Sequence, residues 1–167
     1  MNKNTFFENL SQVKKDGYVN LDELAKLEGI EVIYSKYKEY KDEFSGLIKR
    51  DNGKYKIVIN GDHSANRQRF TLAHEIAHYF LHKDEIDKAT IVDDGLYRSG
   101  VPNSIEIAAN SFASQILMPA SLIDFHIDKA LKHKNNNSTE KLLNYVAEKL
   151  RVSKQALAIR LGIPFDN

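Results

Sequence analysis

The sequence predicts an α+β fold: a small antiparallel sheet packed on a helical core, with a closing pair of C-terminal helices. Three observations carry this. A β-branched run, Ile30–Tyr34, and two further strand-like runs, Gly46–Arg50 and Tyr55–Asn60, lie in the N-terminal part. Residues 67–82 then contain neither Gly nor Pro, and Phe70, Ala73, Ala77 and Leu81 recur at helical spacing. Near the C-terminus Leu142, Leu143, Val146, Ala147 and Leu150 make one apolar stripe, followed by a short turn and a second helix.

The elements follow in order. Thr5–Lys14 predicts a short helix that ends at Asp16-Gly17. Asn20 caps a second helix, Leu21–Glu28, and Gly29 stops it from the C′ position. Ile30–Tyr34 reads as a strand and the charged 36–43 stretch as a solvated connection. Asn52-Gly53 supplies the turn of a hairpin between Gly46–Arg50 and Tyr55–Asn60. Ser64 or Asn66 caps the 67–82 helix, and 83–102 reads as a loop. Asn103 or Ser104 begins a helix that runs to about Ile116, and Pro119 opens another over Ala120–Lys132. The polar, Asn-rich 132–138 stretch reads as a linker before two last helices, Thr139–Leu150 and Lys154–Leu161. Residues 1–133 and 134–167 are the expected division of the chain, with no internal repeats.

Composition narrows the function. A chain of 167 residues, 42% hydrophobic and 28% charged, suits one globular domain with a small appendage. A net charge of +1 implies no general pull toward nucleic acid or membrane. With no Cys, any metal must be held by His and carboxylate. No apolar run is long enough for a signal peptide or a membrane span, so the expectation is a cytoplasmic protein that does not engage membranes.

Residues 74–78 read His-Glu-Ile-Ala-His. Positions four apart on a helix share a face, so His74 and His78 can reach one zinc ion. Glu75 projects beside them, placed to act as general base toward a water. That chemistry makes the predicted helical core zincin-like. A catalytic zinc takes three protein ligands. His82 lies eight residues past His74, about 12 Å along the axis, which is too far to converge, and suits the helix C-terminus instead. Asp84 would need a Gly-mediated turn where Leu81 stands. Glu106 is the best candidate: Glu106, Asn110 and Ala113 share one face of the next helix, and Ala73, Ala77, Ala109 and Ala113 would let the two helices approach closely. The spacing equally permits Glu106 as a capping-box partner of Asn103, and the alanines as helix formers.

The stretch from Arg67 to His82 (RQRFTLAHEIAHYFLH), followed by Glu106 to Pro119 (EIAANSFASQILMP), resembles the ImmA/IrrE family of zinc metallopeptidases. Tyr97-Arg98-Ser99, Ser45-Gly-Leu-Ile and the strand ending at Asn60 are similar to family members as well, and the likeness covers most of residues 20–161. Ala77, where Gly is common, and Ile116 in the segment that otherwise reads LLMP are small departures. The resemblance implies His74, His78 and Glu106 as zinc ligands and Glu75 as the catalytic acid/base. It also places Tyr97 and Arg98 between the ligand blocks, as candidate donors to a developing oxyanion. His126 is a further possibility for that role, and Asn110 for orienting a ligand. Arg69 and His63 read as structural or solvated.

The segment VAEKLRVSKQALAIRL resembles a helix-turn-helix, with Ser153 capping the second helix. With so few cations it reads as a docking or packing module, and direct DNA binding is not expected. The resemblance implies a zinc-dependent regulatory endopeptidase that cleaves a partner protein, a helix-turn-helix repressor or antitoxin often encoded beside it on a mobile element. The alternative is a toxin-type or regulatory partner that uses the same fold to bind its cognate repressor; an intact Glu75 favours the peptidase.

Overall fold

A computed structural model describes residues 3–36, 44–87, 91–94, 104–132 and 138–164. Helix α1 (Lys3–Gln12) ends earlier than its sequence pattern suggests. The reason is the Asp16-Gly17 pair, which does more than stop a helix. Both residues have positive φ, 53° and 83°. They form a two-residue turn that pairs β1 (Lys14–Lys15) antiparallel with β2 (Tyr18–Val19). Asn20 Oδ1 then accepts from Glu23 N at 3.2 Å and caps α2 (Leu21–Leu27), with Gly29 left-handed just past its end, as read from the sequence.

The main sheet holds β3 (Ile30–Ser35), β4 (Phe44–Asp51), β5 (Lys54–Asn60) and β6 (Ile91–Asp94) in the order β3-β5-β4-β6. The Asn52-Gly53 hairpin is present, with both residues at positive φ and Asp51 paired to Lys54. Two features differ from the sequence expectation. The sheet is mixed, since β3 pairs parallel with β5, from Ile30↔Tyr55 to Ser35↔Asn60. A tight turn announces an antiparallel neighbour in the sequence, but a parallel neighbour arrives through a long crossover and carries no such local signal. The burial of β5 fits its central place: Ile57, Val58, Ile59 and Asn60 are all buried. The second difference is β6, a short strand inside the expected 83–102 loop, beside the brief helix α4 (Lys83–Ile86). It runs antiparallel along β4, and pairing rather than any long apolar pattern defines it.

Helix α3 (Ala65–Leu81) lies across this sheet and against α5 (Ser104–Leu117). Ser64 is its N-cap residue by position but makes no side-chain cap hydrogen bond. Leu72, Ala73, Ile76 and Ala77 of α3 join Ile48, Ile57 and Ile59 of the sheet and Ala109, Ala113 and Ile116 of α5 in one core. Ala73, Ala77, Ala109 and Ala113 are all fully buried, which is how small side chains let two helices sit close. Phe80 and Phe112 stack at 4.8 Å and carry Phe6 of α1 against them.

The C-terminal half continues with α6 (Ala120–Lys132), α7 (Thr139–Leu150) and α8 (Lys154–Leu161). Ser138 and Ser153 cap the last two, accepting from Lys141 N and Ala156 N. Val146, Ala147, Leu150, Val152 and Leu157 belong to the same core cluster as α3 and the sheet. Among the described residues no helix is long and apolar enough to cross a membrane.

His126, buried on α6, meets the Gly17 carbonyl through Nε2 at 2.6 Å and so ties α6 to the β1–β2 turn. A Cβ on Gly17 would lie 2.5 Å from His126 Cε1, at a φ of +83° that L-residues avoid. Gly17→Ala is therefore expected to destabilise the protein by about 2–4 kcal/mol, from the left-handed backbone and the overpacked ring together. Chemical denaturation checks this; a change under about 0.5 kcal/mol would mean the turn relaxes freely.

Candidate active site

The site is built where α3 and α5 cross. Helical spacing puts His74 and His78 on one face of α3, with their Nε2 atoms 3.0 Å apart. Glu106, in the first turn of α5, reaches them both: Oε2 is 3.1 Å from His74 Nε2 and Oε1 is 3.3 Å from His78 Nε2. One ligand atom from each residue falls within 4.8 Å of the other two, a group that can hold a metal ion. The imidazoles are buried, whereas the Glu106 side chain is 27% exposed and opens the group toward solvent. Hydrogen bonds from His74 and His78 hold the Glu106 carboxyl far below the usual carboxylate range, outweighing the effect of its burial.

Glu75 is fully buried on the same helix, under strand β4. Gly46 makes that approach possible. A Cβ there would sit 2.5 Å from Thr71 Cγ2, 3.1 Å from the Val58 carbonyl and 3.4 Å from Glu75 Oε1. The strand thus forms the wall against which the Glu75 carboxylate rests.

Each imidazole is also held from behind. His74 Nδ1 lies 3.0 Å from Asn110 Oδ1, one turn along α5 from Glu106. His78 Nδ1 lies 3.1 Å from His82 Nδ1. A donor or acceptor at Nδ1 fixes the tautomer and leaves Nε2 to face the shared centre. His82 is thus outside the three-residue group, as the rise along the helix requires, yet orients one of its members. The His78–His82 spacing of four was visible in the sequence and pointed to this partnership, which a search for ligands alone passes over. Asn110→Ala is expected to weaken metal binding about 10–100-fold, with the fold intact, since the residue is exposed on α5. Competition with a chelating dye reads the affinity, and an unchanged value would make the Asn110 contact incidental.

The other candidates separate. Tyr97 and Arg98 lie outside the described residues, as does Asn103. His126 is committed to the Gly17 carbonyl, so its proposed role toward an oxyanion is set aside. Arg69 donates to the Val19 carbonyl at 2.6 Å, His63 sits 3.4 Å from Asn60 Nδ2 in the approach to α3, and Asp84 falls on α4 outside the group.

An α+β chain with a His-Glu-x-x-His helix under a sheet, and a carboxylate delivered to both imidazoles by the α5 helix packed against it, has the layout of a metallopeptidase. Comparison with known proteins agrees. The profile of the family described as the IrrE N-terminal-like domain, Peptidase_M78, matches residues 25–162. The chain belongs to this metallopeptidase family. It is 26% identical over 135 residues to the metallopeptidase ImmA of Bacillus subtilis, covering 81% of this chain and 73% of that protein. It is also 43% identical over 68 residues to the radiation response metalloprotease IrrE of Deinococcus deserti, and 40% over 67 residues to that of Deinococcus radiodurans. Those two matches cover about two fifths of this chain but only 24% and 20% of the IrrE proteins.

Proposed function

We propose that the chain is a zinc-dependent regulatory endopeptidase that hydrolyses a peptide bond in a partner protein, a helix-turn-helix repressor being the substrate we favour, and that it acts in the cytoplasm. The observation that carries this reading is the convergence of His74, His78 and Glu106 beside a buried Glu75. Two imidazole nitrogens and one carboxylate, with no thiolate in the sequence, form a donor set suited to zinc. Bound there, zinc would supply Lewis acidity and lower the pKa of water. The residues of the chain do the rest. His74 and His78, locked by Asn110 and His82, present Nε2 without reorientation. Glu75 accepts a proton from the attacking water and returns it to the leaving amine. Its burial against β4 keeps that carboxylate in one place during both transfers. The zincin-like helical core is part of this reading, with Tyr97 and Arg98 as the proposed oxyanion donors.

The α7–α8 pair, within residues 134–167, is the proposed helix-turn-helix-like unit, used to dock protein and not to read DNA. Lys154, which would otherwise face phosphates, pairs with Glu140 at 3.2 Å. The test of the whole reading is elemental analysis of the purified protein together with cleavage of candidate helix-turn-helix repressors from the same organism. Stoichiometric zinc with cleavage is expected, and a metal-free protein that still cleaves would overturn the assignment.

A further inference from the structure

Two cavities, each of about 420 Å³, meet at Phe70. The first is lined by Asn110, Ser111, Met118, Ile159 and Arg160, so it starts at the side chain that faces His74. The second is lined by Ser64, Arg67, Arg69, Arg151 and Gln155. Phe70 and Ala156 belong to both walls, so the cavities are successive stretches of one groove beside α8. Its first stretch offers apolar surface, and Ile159 there is 69% exposed.

The second stretch is cationic, with Asp22 the nearby carboxylate that acts on Arg69 without forming an ion pair. Arg69 and Arg151 both lie over the Tyr18 ring, with guanidinium carbons 5.3 and 3.7 Å from its centroid. Arg67 donates to Ser45 Oγ at 3.0 Å. Among the described residues none of the three arginines is in an ion pair with a carboxylate. Arg69 Nε is buried with no hydrogen-bond partner. Burial and the nearby Arg151 charge push the Arg69 guanidinium below its ordinary value, as expected when like charges crowd together. Arg151 is the left-handed C-cap of α7, φ 57° and ψ 47°, with its N–H directed at the Ala147 and Glu148 carbonyls, which fixes where its side chain starts.

Each guanidinium already has a neutral contact, Arg67 on Ser45, Arg69 on the Val19 carbonyl and Arg151 on the Tyr18 ring, and planar forks that keep further N–H groups outside any ion pair select carboxylate or phosphate. We propose that this groove binds a segment of the substrate protein with an Asp or Glu a few residues from the scissile bond, its carboxylate held by Arg67, Arg69 and Arg151. The proposal rests on the peptidase reading above and specifies its substrate. Arg67 precedes His74 by seven residues, about 10 Å along α3, a length that an extended peptide covers in about three residues. A peptide fills both stretches of the groove at once. A free phosphate would occupy the Arg67–Arg69–Arg151 cluster alone and leave Phe70 and Ile159 uncovered. Nucleic acid fits less well, given a net charge of +1.

The test is a binding titration of the full chain, with and without zinc, using two labelled peptides. One carries apolar residues followed by two glutamates, and its twin has glutamines in their place. The Glu peptide is expected to bind at least about tenfold more tightly, with that advantage lost in Arg151→Asn and reduced in Arg67→Gln. Both positions are exposed, and Asn tolerates the left-handed backbone at 151, so the variants should fold, which thermal melting verifies. Equal affinity for the twins, an advantage that survives both substitutions, or displacement of the peptide by equimolar inorganic phosphate or a short DNA duplex would each overturn the proposal. Binding is read without hydrolysis, so failure of the peptidase reading, detected through Glu75, stays distinct from failure of this one.

Discussion

Glu75→Gln is expected to keep its metal and lose proteolysis, with a fall in cleavage rate of about 10²–10⁴-fold. The amide has nearly the volume of the carboxylate, so the buried position under β4 is filled as before. It cannot take up a proton from water at neutral pH, and that is the function lost. The ligand atoms of His74, His78 and Glu106 are untouched, so zinc content measured beside the cleavage assay should match the parent protein. A variant that lost both metal and activity would speak for a structural role of Glu75. A variant inert in the cleavage assay but fully effective in cells would replace the peptidase reading with the binding-partner one.

Glu106→Ala is expected to act on the metal itself. It leaves two imidazoles where a catalytic zinc requires three protein ligands. The loss in affinity should exceed the range for an orienting partner, hence more than about 100-fold, and activity should fall with it. Elemental analysis after dialysis, set beside Asn110→Ala, ranks the two. Unchanged occupancy in Glu106→Ala would remove Glu106 from the ligand set, whatever its distance from the histidines. Because His74 and His78 hydrogen-bond the Glu106 carboxylate in the metal-free chain, the metal-free variant should melt below the metal-free parent, by an amount limited by the partial exposure of that side chain.

Much of the candidate site could be read from local spacing. His74, Glu75 and His78 are set by the helix period, and Asn20, Ser138, Ser153 and the Asn52-Gly53 turn are equally local signals. Each depends on residues within one turn of its own position. Asn110 followed from its place one turn beyond Glu106. The site's remaining parts were less legible. Nothing local marks Ile91–Asp94 as a strand, because β4 supplies its partners. The 83–102 stretch, with its charges, Gly and Pro, therefore read as a loop throughout.

What the sequence determined by itself was the helix that carries His74, Glu75 and His78 and an α+β chain able to bury it; that the alanines serve close helix approach and not only helix propensity was decided by the structure. The tertiary structure alone decided which partners meet. It set β3 parallel to β5 across 25 residues of chain, brought Glu106 within 3.3 Å of both imidazoles, gave His126 to Gly17, and gathered Arg69 and Arg151 around Tyr18. The physical reason is the range of the forces involved. Helix period, caps and tight turns act between neighbours in the chain, whereas packing and electrostatics act between neighbours in space, which exist only once the core has closed.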